Sequence, residues 1–122
     1  MARETLGSSE GKPYSPGTKS GNLIFVSGQL ARDINGKLVE GGAVPETRQC
    51  IENIKQVLAK AGATLDNVMM VNVYLTDMDS DYAMMNQVYM EYFTKAPPAR
   101  ATVQVSKLAM GAKVEISAIA VL

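Results

Sequence analysis

"RATVQVSKLAMGAKVEISAIAVL", residues 100–122, is written in the two-residue period of extended chain. Arg100, Thr102 and Gln104 alternate with Ala101, Val103 and Val105. After "SKLAMG", Val114, Ile116, Ala118 and Ala120 alternate with Glu115, Ser117, Ile119 and Val121. Successive strand side chains point to opposite faces, so the second run is apolar on one face and half apolar on the other. A strand of that kind needs cover on both sides.

Working backwards, "APPA" (96–99) ends a helical pattern, because proline removes a donor and restricts the residue before it. That pattern is "DMDSDYAMMNQVYMEYFTK" (77–95), with Tyr82, Met85, Val88 or Tyr89, and Tyr92 or Phe93 on one face and Asp79 or Ser80 as candidate cap. "NVMMVNVYLTD" (67–77) reads as a buried strand. Before it, "GGAVPETRQCIENIKQVLAKAG" (41–62) is the clearest helix. Pro45 suits its first turn, Cys50, Ile51, Ile54, Val57, Leu58 and Ala61 recur at three-and-four spacing, and Gly62 stops it. "NLIFVSGQ" (22–29) is another buried strand, and Asn35-Gly36 signals a tight hairpin turn with positive φ at both positions. The first twenty residues read as an irregular arm with at most one short strand. The order predicts an α+β fold, two helices covering one face of a mixed sheet.

A chain of 122 residues predicts a single domain, residues 1–122. Twelve basic residues balance twelve acidic ones, which argues against nucleic acid and anionic membranes as partners. The lone cysteine, Cys50, points to a reducing compartment, and with no signal or spanning segment the expected location is cytoplasmic. There is no histidine, which removes the usual general base and the commonest metal ligand. Asp77, Asp79 and Asp81 begin like a calcium loop, but Tyr82 and Val88 stand where its glycine and bidentate glutamate belong, so no metal site is expected. Gly41-Gly42 lacks the lysine and hydroxyl of a phosphate loop, and the eight methionines read as core filling.

Arg100 and Glu115 are charges on otherwise packable strands. They fit an edge charge or a structural ion pair, or else a site where an arginine fork takes a carboxylate and a glutamate holds a water.

"PPARATVQVSKLAMGAKVEISAIAV" (97–121) resembles the C-terminal signature of the reactive intermediate deaminase family (RidA/YjgF), and "KPYSPGTKSGNLIFVSGQ" (12–29) resembles its N-terminal segment. The resemblance implies a chorismate-mutase-like α+β fold and a homotrimer with a central barrel and clefts between subunits. It implies hydrolysis of 2-imino acids, such as 2-iminobutanoate and 2-iminopropanoate, to 2-keto acids and ammonia, without cofactor. A keto-acid-binding trimer without turnover is the alternative, with an endoribonuclease below it. By position, Arg100 matches the residue that grips the substrate carboxylate, Glu115 the one at the attacking water, Tyr14 the one that closes the cleft, and Gly28 a backbone contact. Thr102, where cysteine is common, is expected to contact the substrate through its backbone; Ser117 stands where a second acid is common, and the 30–42 segment is shorter than usual.

Overall fold

The computed structural model describes residues 2–122. Six strands form one sheet: β1 (Glu4–Leu6), β2 (Gly17–Ser20), β3 (Leu23–Leu30), β4 (Val68–Leu75), β5 (Ala99–Gln104) and β6 (Val114–Val121). The helices are α1 (Ala43–Ala59) and α2 (Met78–Tyr92), and the strand order is β1-β2-β3-β6-β4-β5. Every neighbouring pair is antiparallel except β4–β5. A parallel pair needs a crossover, and α2 is that crossover. β6 therefore enters between β3 and β4, and the two closing strands are not neighbours.

One face of the sheet is the core. Ile24 and Val26 on β3, Val71, Val73 and Leu75 on β4, and Val114, Ile116, Ala118 and Ala120 on β6 share a register and are all buried. They pack with Cys50, Ile51, Ile54, Val57 and Leu58 of α1 and with Met85 and Tyr89 of α2. At about 25 cal/mol per Å² of apolar surface, the Ile, Val, Leu and Met side chains among them each contribute about 1.5–3 kcal/mol. The opposite face is uncovered in one chain: Leu23, Phe25, Val103 and Val121 are each about two-fifths exposed.

Several local expectations change. The N-terminal arm holds two strands, because β1 and β2 continue the sheet outward from β3. The cap of α2 is Asp77, whose side chain accepts the Ser80 N–H at 3.1 Å, rather than Asp79 or Ser80. Tyr82 is 42% exposed rather than packed with the core. In the 33–37 turn only Gly36 has positive φ, since Asp33 Oδ1 accepts the N–H groups of Asn35 and Lys37 and sets the turn instead. Among the described methionines only Met85 is fully buried; Met69, Met84, Met90 and Met110 are exposed. Met69 loses its cover where the β4–β6 register shifts between Val68 and Met70.

Two buried groups tie α1 to β6. Glu46, in the first turn of α1, is 3% exposed, and its Oε1 accepts the backbone N–H groups of Lys113 (2.8 Å) and Val114 (3.2 Å). Cys50 Sγ approaches the Val114 carbonyl at 3.7 Å; burial, then the charges of Glu46 and Glu115, push its thiol pKa far up. That thiol is inert packing. No helix of the described residues is long and apolar enough to cross a membrane.

Candidate active site

Glu115 lies on β6 beside the core positions but on the open face, opposite Leu30 of β3 and Tyr74 of β4. The β3–β6 register shifts between Val26 and Gln29, which places Gly28 against the Glu115 side chain. A Cβ on Gly28 would fall 2.5 Å from Glu115 Oε2 and 2.8 Å from its Cδ. Glycine is needed at 28 for space, not for an unusual φ. Desolvation raises the Glu115 pKa, moving this carboxyl toward the range of a useful acid–base group.

Tyr14 reaches the same place through its neighbours. Ser27 donates its N–H to the Pro16 carbonyl (2.9 Å) and its hydroxyl to the Ser15 carbonyl (2.6 Å), fastening the 14–16 segment beside the bulge. Tyr14, Gly28 and Glu115 thus line one cavity of about 390 Å³, together with Lys12, Arg32 and Asn53 among others. Asn53, on α1, donates to the carbonyls of Leu30 (3.1 Å) and Arg32 (3.0 Å) and so holds the strand end.

Arg100 is elsewhere. It pairs with Val71, whose partner on β6 is Ala118, so its side chain takes the helix-covered side of the sheet at the β5 edge. The guanidinium stacks 4.6 Å from the Tyr89 ring centroid, with Nη1 directed at Met85 Sδ (3.9 Å) and Nη2 at the Tyr82 hydroxyl (3.5 Å). Among the described residues it has no carboxylate partner. The ring beneath holds the fork without neutralising it. An open hollow beside it is bordered by Asn86, Tyr89, Met90, Phe93 and Pro98. The Tyr89 hydroxyl there is buried without a hydrogen-bond partner. Thr102 follows on the same strand face, half-buried, but borders neither the Glu115 cavity nor this hollow.

One chain therefore brings Tyr14, Gly28 and Glu115 together and leaves Arg100 on the other side of the sheet. Tyr89 had a signal in the sequence, since it shares the helical face with Tyr82 and Met85. Lys12, Arg32 and Asn53 had none, because only the packing of three separate segments brings them to Glu115.

A family model described as Endoribonuclease L-PSP matches residues 8–122. This chain belongs to the RidA/YjgF family. A RutC family protein of Pyrococcus horikoshii is 48% identical over 109 residues, which cover 88% of this chain and 86% of the relative. The 2-iminobutanoate/2-iminopropanoate deaminase of Mus musculus is 42% identical over 110 residues, 89% of this chain and 81% of that one. The crystal structure of RidA from the Antarctic bacterium Psychrobacter sp. superposes with a TM-score of 0.90 at 37% identity, covering 98% and 99% of the two chains. The six-stranded α+β sheet with two helices is the fold of RidA/YjgF structures, as the signatures at both ends of the chain lead one to expect.

Proposed function

We propose that this protein hydrolyses reactive 2-imino acids and their enamine tautomers, 2-iminobutanoate and 2-iminopropanoate among them, to 2-keto acids and ammonia. The observation that carries the reading is the Glu115 carboxyl, half-buried beside a glycine that leaves it room, in a cavity it shares with Tyr14. The similarity to relatives named as imine deaminases supports it.

In this reading Arg100 holds the substrate carboxylate through two parallel N–H donors and so orients the C=N carbon. Glu115, ionised, accepts a proton from a water as the water oxygen bonds to that carbon. With the imine protonated at the outset, Glu115 returns that proton to nitrogen, the C–N bond breaks, and ammonia leaves as Glu115 takes the hydroxyl proton and the carbonyl forms. Tyr14 closes the cleft, Gly28 offers backbone to the ligand, and Thr102 does so at the strand carrying Arg100. The whole chain acts as one domain, in a reducing compartment that we take to be the cytoplasm.

Because Arg100 and Glu115 face opposite ways in one chain, the site is assembled from two. The open sheet face, with Leu23, Phe25, Val103 and Val121 uncovered, is the surface that packs against neighbours in a homotrimer. Hydrolysis of RNA is the weaker reading, since charges balance and no histidine is available for acid–base cleavage.

The test couples a serine or threonine dehydratase to this protein and follows the lifetime of the released imine. Mixing Arg100→Ala chains with Tyr14→Phe chains, each impaired alone, restores activity if sites are shared. Binding of keto acids with no shortening of imine lifetime would replace the enzyme by the binding-trimer reading. A monomer at micromolar concentration by sedimentation would overturn the shared site.

A further inference from the structure

The Glu115 cavity holds more positive charge than capture of a simple imino acid requires. Arg100 alone is enough for one carboxylate, and it stands on the other side of the sheet. Yet Lys12 and Arg32 both line the cavity of Glu115. Among the described residues neither has an acidic ion-pair partner. Arg32 is half-buried as a residue.

Arg32 is also held in place. Its N–H donates to the Leu30 carbonyl at 2.8 Å, its carbonyl accepts from Asn53 Nδ2 at 3.0 Å, and it bridges to Leu38. Gln49 Nε2 in turn donates to Asn53 Oδ1 at 2.8 Å. An arginine on a fixed backbone is pre-organised for a planar anion. Lys12 lines the same cavity, its Nζ 6.0 Å from the Tyr14 ring centroid. Neither cation is spent on Glu115: burial raises that carboxyl, and no opposing charge offsets it. The cavity is thus lined by one carboxylate and by two cations that, among the described residues, form no ion pair.

We propose that this half-site selects 2-imino acids bearing a second carboxylate, the short 2-iminodicarboxylates, with Arg32 and Lys12 binding the distal carboxylate. This rests on the imine-hydrolysis reading and narrows its substrate class. Arg100 of the neighbouring copy would hold the carboxylate next to the imine, and the distal one would reach the two cations beyond Glu115.

The test compares 2-iminoglutarate with 2-iminobutanoate, each generated in place by an amino-acid oxidase acting on the parent amino acid. The expected ratio of kcat/KM favours the dicarboxylate by about tenfold or more, the scale of one charge-assisted contact. Arg32→Leu and Lys12→Met should each lower that ratio, mainly through KM, and Arg32→Lys should partly restore it. Equal rates, or preference for 2-iminobutanoate, would overturn the selection while leaving imine hydrolysis standing. If neither imine is hydrolysed, the hydrolysis reading falls, and calorimetry decides the inference. Then 2-oxoglutarate binding at least about tenfold tighter than 2-oxobutanoate supports it. Equal or absent binding of the two keto acids ends it.

Discussion

The Glu115 and Arg100 side chains leave opposite sides of one sheet, and their surroundings are built in opposite ways. Around Glu115 a single chain supplies walls from the 12–16 segment, β3, α1 and β6, and burial alone raises its pKa. Around Arg100 the chain supplies a floor, the Tyr89 ring, and leaves the hollow open at the sheet edge. The first half needs desolvation to work, which packing within one chain can provide. In the proposed mechanism the second needs an accessible guanidinium fork, which an edge strand can present to another copy.

Substituting Glu115 should break the first half most sharply. Glu115→Gln should cost about 10²–10⁴ in kcat, the usual worth of a general base, while a keto-acid analogue still binds. In the wild type the rate should fall as pH drops through the raised Glu115 pKa, and that limb should vanish in the variant. Stability should move the other way. A carboxyl with a raised folded-state pKa stabilises fully only below its unfolded pKa and loses that contribution as pH rises through the folded value. The melting temperature of Glu115→Gln should therefore match or exceed the wild type at neutral pH, and the gain should disappear in acid. A lower melting temperature at neutral pH would mean that the carboxylate is structural.

Arg100→Lys breaks the second half. It keeps the charge but loses the two parallel donors, and kcat/KM should fall by about thirty- to hundredfold with unchanged circular dichroism. Wild-type turnover would remove the carboxylate clamp.

Gly28→Ala sharpens the comparison, because the three atoms nearest its new Cβ all belong to the flexible side chain of Glu115. Activity should drop by about tenfold with little change in melting temperature, as a displaced carboxyl misplaces its water. Gly17→Ala is the contrast: there a Cβ meets Val57 Cγ1 at 2.5 Å and the Phe25 carbonyl at 3.0 Å. It should lower thermal stability first. The smallest effect belongs to Tyr89→Leu, which removes the ring beneath the fork; KM should rise by about fivefold with kcat nearly kept.

Much of this was legible in the chain. Alternation in 114–121 fixes the core face of β6 and puts Glu115 opposite it, and three-and-four spacing finds α1 and its buried side. Strand neighbours were not legible: nothing in residues 99–121 says that β4 separates β5 from β6, and only that pairing puts Arg100 and Glu115 on opposite faces. Cap identity was off by two or three residues, because Asp77 also ends the preceding strand pattern. Cavity walls such as Arg32 and Asn53 were invisible, since their meeting depends on α1 packing over the end of β3.

Glu46 reaches across 67 positions of sequence to the amide of Lys113, and it holds the adjacent Val114 amide as well. Those two protons are hidden by a helix side chain at the entry of the strand that carries Glu115. Their exchange with solvent deuterium requires the first turn of α1 to part from β6, so their exchange rates time that opening. The same parting would let water and neighbouring backbone shift beside Glu115. Those two amides thus form a clock for how often the strand carrying Glu115 is freed from the helix.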